Sequence, residues 1–270
     1  MRRIFIIAIT ILAALQAGAQ ELIVFDSQSL HCTDSVLVFS PAQNQAAKDL
    51  PTLFLLHGFS GKYSDWSTHM DLQAESNNSG FRIICPDGFY KSWYFNDANP
   101  ANMQWRTFFW EECWPEMEKR YGLKADQTFI DGLSMGGHGA MNLFLDYPER
   151  FRGAGSMSGV LALHHSGSSQ KIIPEILGVD SIQDPVCTAQ SAINRLGRIA
   201  ERCGDAKKIV LISCGTEDKF MTASQEFEQR CMELGIPHIT LYSPGKHNWP
   251  YWVWLLPYHL QFFKEATEAP

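Results

Sequence analysis

Residues 129–142 read FIDGLSMGGHGAMN, an apolar run that breaks into glycines around a single serine. The residues before Ser134 are rich in strand-forming types and predict a strand over Thr128–Leu133, and those after it predict a helix that ends at Asp146. Glycine weakens both kinds of element, so glycines at 132, 136, 137 and 139 need a structural reason. Either they allow a tight packing corner in which the serine is incidental, or they bend the backbone to hold one hydroxyl outward.

The rest of the chain alternates short strand-like runs with helical stretches, which predicts an α/β fold. The runs from residue 52 onward are almost continuously apolar, as expected for a mostly parallel sheet covered by helices on both faces. The first two runs lie close together and predict an antiparallel edge hairpin. The predicted strands are Leu22–Phe25, Ser35–Phe39, Thr52–His57, Phe81–Cys85, Thr128–Leu133, Gly153–Met157, Lys208–Cys214 and Ile239–Ser243. The predicted helices are Asn102–Tyr121, Ser134–Asp146, Ser191–Cys203, Met221–Leu234 and Trp249–Ala266.

One segment, at residues 160–189, interrupts this alternation. It has no clean helical or strand period and carries several serines and glycines with two prolines. It follows a predicted strand, so it is expected to cover the carboxyl edge of the sheet, where ligands bind in α/β folds. We therefore predict a lid-like insertion that shapes a binding site.

The glycine pattern around the serine, G-x-S-x-G between a strand and a helix, is typical of a nucleophile elbow. A serine hydroxyl needs a base, and the base needs a carboxylate to orient it. In an α/β-hydrolase fold the three follow in the order serine, acid, histidine, each just after a strand. Asp218 and His247 follow the last two predicted strands in this order. The sequence therefore predicts Ser134 as nucleophile, His247 as base and Asp218 as acid, with Glu217 as the alternative acid.

Four other histidines compete for the role of base. His238 precedes a strand and is expected at the opposite edge of the sheet. His138 lies one helical turn after the serine and is predicted to be a packed helix residue. His164 and His165 lie in the insertion and are candidates for the pocket lining.

Acyl transfer also needs fixed backbone donors for the oxyanion. The N–H group of Met135, directly after the serine, is the first candidate. The second is the N–H group of Phe59, in the loop His57-Gly58-Phe59-Ser60-Gly61 that follows a predicted strand. An ordinary glycine turn is the alternative interpretation of this loop.

The N-terminus, MRRIFIIAITILAALQAGAQ, has two arginines, an apolar run and small residues at 17–19, which is the layout of a secretory signal peptide. We predict a signal peptide at residues 1–19, a single catalytic domain at 20–270, and export to a periplasm or the exterior. A membrane anchor is the alternative, although the apolar run is short for a bilayer span. The formal charge of −7 argues against nucleic acid as a partner, and no stable membrane insertion is expected after signal removal.

The seven cysteines leave at least one unpaired within a monomer, and their pairing is not readable from the sequence. Cys85 and Cys214 end apolar runs and are expected to be buried. The absence of C-x-x-C and H-x₃-H spacings argues against a structural zinc site. Ester hydrolysis by a serine, a histidine and a carboxylate needs no metal or organic cofactor, so none is predicted.

Six stretches resemble the esterase D-like branch of the α/β-hydrolases in order along the chain: LLHGFSG, PDGFYKSWY, FIDGLSMGGHGAM, FRGAGSMSG, CGTEDKF and PGKHNWPYW. That branch includes feruloyl and acetylxylan esterases of carbohydrate esterase family one, tributyrin esterases, S-formylglutathione hydrolases and mycolyltransferases. The resemblance implies the same triad and oxyanion donors as above. It also implies that Ser92-Trp93-Tyr94 support the pocket wall. His138 departs from the tyrosine or other aromatic expected at its position.

Aromatic residues expected near the site, Phe59, Trp93, Trp249 and Tyr251, would suit stacking on a phenolic acyl group or a sugar ring. Trp93 and Trp249 are the predicted substrate-binding residues. The expected function is hydrolysis of a small ester or acylated oligosaccharide, with feruloyl or acetyl esters of plant polysaccharide favoured. A short-chain carboxylesterase or an acyltransferase is the near alternative. A non-catalytic glycan-binding module is the alternative from another class, and it would be expected to lack a triad residue.

Overall fold

A computed structural model of the chain describes residues 20–44, 47–48, 50–204 and 207–268. Within them, eight strands form a sheet with the order β1-β2-β4-β3-β5-β6-β7-β8. The β1–β2 and β2–β4 pairs are antiparallel, and the other neighbours are parallel. The predicted mostly parallel sheet with an antiparallel edge hairpin is therefore confirmed. The strands are β1 (Gln20–Ser27), β2 (Cys32–Phe39), β3 (Thr52–Leu56), β4 (Arg82–Pro86), β5 (Thr128–Gly132), β6 (Gly153–Met157), β7 (Ile209–Gly215) and β8 (His238–Ser243).

The five predicted helical segments are all helical, but two are less regular than predicted. Residues 102–121 form two α-helices joined by a π-helix at Phe109–Cys113. Residues 191–203 begin with a 3-10 turn at Ala192–Asn194 before an α-helix starts. The α-helices are α1 (Asp65–His69), α2 (Leu72–Ser79), α3 (Trp105–Phe108), α4 (Trp114–Tyr121), α5 (Met135–Asp146), α6 (Ile172–Leu177), α7 (Pro185–Gln190), α8 (Arg198–Cys203), α9 (Met221–Glu233) and α10 (Trp249–Glu268).

Both faces of the sheet are covered, because alternate residues of each buried strand enter different hydrophobic clusters. In β3, Phe54 and Leu56 pack in the cluster that includes residues of α4, α5 and α9. Leu53 and Leu55 pack in the opposite cluster, with residues of α1, α2 and α10. Burial on both faces explains why these strands are apolar without alternation.

The insertion predicted at residues 160–189 follows β6 at the carboxyl edge of the sheet. It contains 3-10 turns at Leu163–His165 and Gly167–Gln170, and then the short helices α6 and α7. The N–H group of Ala98 donates to the carbonyl of Ile176 at 2.8 Å, which ties the insertion to the loop before α3. The segment is thus built of short turns and short helices, each too brief to show a clear period in the sequence.

The predicted signal peptide at residues 1–19 lies outside the described residues. In the part of the chain that the structure covers, no helix combines the length and apolar character needed to cross a bilayer. All seven cysteines fall within that part, and none of them forms a disulfide there. Cys85 and Cys214 are buried, as predicted.

A buried polar chain links the middle of the sheet to the last helix. The Nδ1 atom of His259, on α10, lies 2.6 Å from the Oδ2 atom of Asp131 on β5. The Nε2 atom of the same ring lies 2.6 Å from the hydroxyl of Ser213 on β7. All three residues have no exposed surface. A buried polar group in this position depends on its hydrogen-bond partners, since burial leaves no solvent to replace a lost bond.

Replacing His259 with alanine should lower the free energy of unfolding by about 3–5 kcal/mol, because it removes a fully buried ring and leaves the Oδ2 atom of Asp131 and the Ser213 hydroxyl without the hydrogen bonds that this ring makes. Urea unfolding at pH 7 measures the change. His238→Ala is the matched control, since that ring is half-buried at the start of β8 and bonds to the nearby carbonyl of Ile236 at 2.8 Å. An equal loss of unfolding free energy in His259→Ala and His238→Ala would contradict a special role of the contact between His259 and Asp131.

A second buried carboxyl group lies in the edge hairpin. Asp34 on β2 is 2% exposed, and its Oδ2 atom has no hydrogen-bond partner among the described residues. Burial, followed by the negative charges of Asp87 and Glu112, raises the pKa of Asp34 to about 8. The carboxyl group is therefore protonated in the folded protein at neutral pH, whereas the unfolded chain releases this proton near its ordinary pKa of 3.8.

This difference makes stability depend on pH with a defined sign. Between about pH 4 and pH 8 the folded state binds more protons at Asp34 than the unfolded state, so the free energy of unfolding should fall as pH rises. Asp34→Asn should flatten this slope and stabilise the protein at pH 8 by roughly 1 kcal/mol or more. Urea unfolding at pH 5 and pH 8 tests this, with the exposed Asp26→Asn on β1 as control. If the free energy of unfolding changes with pH in Asp34→Asn as it does in the native protein, groups other than Asp34 cause the pH dependence.

Candidate active site

Ser134 lies at the turn between β5 and α5, with φ 53° and ψ −115°. A positive φ is rare outside glycine and costs on the order of 1–3 kcal/mol, so the surroundings must impose it. Two backbone bonds do so: the Ser134 N–H donates to the carbonyl of Met157 at 2.9 Å, and its carbonyl accepts from the N–H of His138 at 3.1 Å. The hydroxyl is thereby held at the carboxyl edge of the sheet.

The glycines beside the serine are required by close approach of backbone to backbone. A Cβ atom at Gly132 would lie 2.5 Å from the carbonyl carbon of Gly136. A Cβ atom at Gly136 would lie 2.5 Å from the carbonyl oxygens of both Leu56 and His57 at the end of β3. The turn can therefore be this sharp only with glycine at both positions. The tight corner and the outward hydroxyl are two consequences of one geometry.

The structure brings the three predicted residues into one hydrogen-bonded chain. The Nε2 atom of His247 lies 2.9 Å from the Ser134 hydroxyl oxygen. The Nδ1 atom of the same ring lies 2.9 Å from Oδ2 and 3.1 Å from Oδ1 of Asp218. The imidazole also packs edge-on against the rings of Phe220 and Trp252, with distances between ring centroids of 4.9 and 4.8 Å. In this arrangement the imidazole can accept the hydroxyl proton while the carboxylate fixes its orientation.

The two neighbouring carboxylates, at 217 and 218, have different surroundings. Burial alone would raise the pKa of Asp218. The hydrogen bond and the electrostatic interaction with His247 lower it, and so does the N–H of Phe220, which donates to Asp218 Oδ1 at 2.9 Å. Together they outweigh burial, and the pKa of Asp218 lies below its ordinary value. Asp218 is therefore ionised at neutral pH. The Glu217 side chain is 60% exposed and forms an ion pair with Lys246 at 3.5 Å. Of the two carboxylates that the sequence left as alternatives, Asp218 therefore contacts the imidazole of His247 and Glu217 does not.

The competing histidines are placed elsewhere. His138 is fully buried on α5, where it packs edge-on against Trp93 and Phe95. Burial, aided by the charge of Arg106, lowers the pKa of His138 to about 3, so this ring is neutral. His238 begins β8, at the amino end of the strand. These positions agree with the predictions made for both residues.

The loop after β3 is held by the ring of His57. Its Nε2 atom accepts the N–H of Gly88 at 2.7 Å, so its proton is on Nδ1, which donates to the carbonyl of Gly58 at 2.8 Å. Within the described residues the N–H of Phe59 donates to no protein acceptor. The N–H of Met135 is the first of α5 and has no acceptor within the helix. Both candidate oxyanion donors are therefore available to a ligand.

A cavity of about 470 Å³ opens at the serine. Phe59, Trp93 and Trp249 line it, as predicted from the sequence. Tyr251 does not: its hydroxyl bonds to Ser243 at 2.9 Å and its ring lines a separate groove. On α10, residues 249 and 252 lie on one face of the helix, because they are three positions apart, and residue 251 lies on another. The expectation that Tyr251 lies near the site did not take this periodicity into account.

Other cavity residues were not predicted. Trp252 lies three residues after Trp249 on α10, and this helical spacing could have identified it. From the insertion, the lining comes from Val160, Ser166, Ser168 and Ser169, whereas the histidines at 164 and 165, suggested as pocket residues, contact Glu226 instead. The insertion therefore shapes the cavity through one valine and three serines.

Comparison with known proteins places the chain in a family. The family model described as "Putative esterase" matches residues 27–263. An acetyl esterase of Caldicellulosiruptor saccharolyticus is 26% identical over 220 residues, which cover 76% of this chain and 80% of that protein. Because the family model spans most of the chain, the protein belongs to this esterase family. The resemblance to the esterase D-like branch is confirmed.

Solved structures share the α/β-hydrolase fold. The fluorophosphonate-binding serine hydrolase F of Staphylococcus aureus superposes with a TM-score of 0.78 at 21% identity, covering 92% of this chain and 98% of that chain. A ferulic acid esterase superposes with a TM-score of 0.75 at 23% identity, covering 93% and 99%. At these identities the likeness establishes the fold.

Gly136→Ala should lower the free energy of unfolding by about 1–3 kcal/mol or more, because the new methyl group meets two backbone carbonyls that cannot rotate away. Urea unfolding measures the loss. Gly197→Ala is the matched control, since its φ is −57° and the nearest atom to a Cβ there lies 3.9 Å away. That variant should be neutral or more stable by up to about 1 kcal/mol. Similar effects in both variants would contradict the close-approach explanation.

Proposed function

We propose that the protein is a serine esterase that hydrolyses carboxylic esters through an acyl-enzyme. The observation that carries this proposal is the chain of two hydrogen bonds, each 2.9 Å, from Ser134 through His247 to Asp218. It lies in a cavity beside two available backbone N–H groups. A non-catalytic glycan-binding module on the same fold would not need this chain, and the presence of all three residues favours the enzyme.

In the first half of the reaction, His247 takes the proton of Ser134 as the hydroxyl oxygen attacks the ester carbonyl. The carbonyl oxygen becomes an oxyanion, which the N–H groups of Phe59 and Met135 stabilise. Asp218 holds the imidazole and stabilises its charged form. The imidazolium then gives its proton to the alcohol oxygen, which leaves, and the acyl group stays on the serine.

In the second half, a water molecule attacks the acyl-enzyme along the same path. His247 takes its proton, the tetrahedral intermediate collapses, and the carboxylic acid leaves as the proton returns to Ser134. These steps need proton transfer and hydrogen-bond donors that the protein itself supplies. The proposed chemistry therefore uses no metal or organic cofactor.

The proposed substrates are feruloyl or acetyl esters of plant polysaccharide. Aromatic side chains on several sides of the cavity suit stacking on a phenolic acyl group or a sugar ring, and they include both predicted substrate-binding residues, Trp93 and Trp249. The similarity to proteins described as an acetyl esterase and a ferulic acid esterase supports the same choice. We also propose export of the mature chain from residue 20, based on the N-terminal sequence.

Ser134→Ala should lower kcat/KM at least about 10³-fold for every ester that the enzyme hydrolyses, because no other group forms the acyl-enzyme. The substrates to compare are methyl ferulate, p-nitrophenyl acetate and p-nitrophenyl butyrate. Ser181→Ala is the matched control: this serine is exposed in the insertion and does not line the cavity. Retained activity in Ser134→Ala would refute the assigned nucleophile.

The same comparison tests the substrate. A higher kcat/KM for methyl ferulate than for both short-chain esters supports the feruloyl assignment. Activity on short-chain esters alone would replace it with an acetyl or general carboxylesterase. Adding an alcohol acceptor and measuring transesterified product would identify an acyltransferase, which shares the acyl-enzyme and differs in the second nucleophile.

A further inference from the structure

Outside the active site, three side chains with metal-binding atoms converge at the surface. The Nε2 atom of His164 lies 3.3 Å from Oε2 of Glu226, and the Nε2 atom of His165 lies 3.0 Å from Oε1 of the same carboxylate. The three ligand-type atoms all lie within 4.8 Å of one another. The histidines belong to the insertion and Glu226 to α9, so the cluster joins two elements that are distant in sequence.

The orientation of the two histidines is unusual for neighbours. They lie in the 3-10 turn Leu163–His165, in which successive side chains diverge by about 120°. Here the two rings instead lie 4.1 Å apart, and both present Nε2 to one carboxylate. Their side chains are 54% and 29% exposed, so solvent and ions can reach the nitrogen atoms.

We propose that His164, His165 and Glu226 form a binding site for a divalent transition-metal ion of the Zn²⁺ type. Two imidazole nitrogens and a carboxylate oxygen are ligands that Zn²⁺ accepts, with water in the remaining position. Zn–N and Zn–O bonds of about 2.0–2.2 Å at a tetrahedral angle place ligand atoms about 3.3 Å apart. The observed separations of 3.3 Å to Oε2 and 3.0 Å to Oε1 of Glu226 are close to this spacing, and the three ligand atoms all lie within 4.8 Å of one another, so one ion can reach all three residues.

The position gives the ion a structural effect. Ser166, the next residue after the histidines, lines the active-site cavity, and so does Phe220, the last residue before α9. An ion held by both elements would link the insertion to α9, and so would connect the two segments that carry these lining residues. It takes no part in the proposed ester hydrolysis and acts on the stability of the insertion.

The test is calorimetric titration of the metal-stripped mature protein with ZnCl₂ in a non-chelating buffer at pH 7.5. The native protein should bind one ion with micromolar or tighter affinity, and the ion should raise the melting temperature because it binds the folded state. Glu226→Gln retains side-chain shape and hydrogen bonding but loses the anionic ligand. It should weaken binding at least tenfold, and His164→Ala with His165→Ala should abolish it.

Two controls separate this site from adventitious binding. His31→Ala removes another exposed histidine, and Cys32→Ser removes an exposed thiol that could itself bind zinc. Both should bind as the native protein does. Failure of the native protein to bind at 100-fold excess ZnCl₂, or unchanged affinity in Glu226→Gln, would overturn the proposal. A loss of binding in Cys32→Ser alone would also overturn it, since the thiol would then be the ligand.

Discussion

The contact between the nucleophile turn and the end of β3 is the constraint on which the rest of the site depends. With no side chain at Gly136, the first turn of α5 lies directly against the carbonyl groups of Leu56 and His57. This approach, together with the backbone hydrogen bonds of Ser134 to Met157 and His138, holds Ser134 at its positive φ and its hydroxyl at the carboxyl edge of the sheet. The same approach brings the N–H of Met135 beside the loop that carries Phe59. The serine and the Met135 donor are thus positioned by this backbone contact, whereas the loop that carries the Phe59 donor is held by the ring of His57.

The histidine of the triad depends on a second anchor, inside the protein. His247 lies two residues before α10, and α10 carries His259, whose ring bonds to Asp131 in the sheet. Asp131 lies on β5, three residues before Ser134. The buried pair therefore connects the helix that follows the base with the strand that ends at the nucleophile. Because a fully buried hydrogen bond cannot be replaced by solvent, this link limits movement of the helix relative to the strand.

The parts of the structure that the sequence predicts well are those set by local pattern. The strands are short apolar runs, and each triad residue lies within a few residues of the end of one, so Ser134, Asp218 and His247 could be placed without knowing the full fold. Other features depend on contacts between distant segments. The choice of Asp218 over Glu217 depends on which carboxylate faces the imidazole, and the meeting of His165 with Glu226 joins residues 61 apart. Short helices such as α1 and α6 have too few residues to show a period.

The two walls of the cavity are held in physically different ways, and this bears on specificity. The wall that carries the serine and the oxyanion donors is fixed by strained backbone and glycine contacts, which tolerate almost no substitution. The insertion is built from short turns and short helices, and its cavity-lining serines, 166, 168 and 169, lie in turns closed by local backbone hydrogen bonds. A change of residue there alters the shape and polarity of the cavity without moving the reacting groups. Acyl-group preference can therefore diverge within one fold while the chemistry stays the same, because reaction and recognition depend on separate segments.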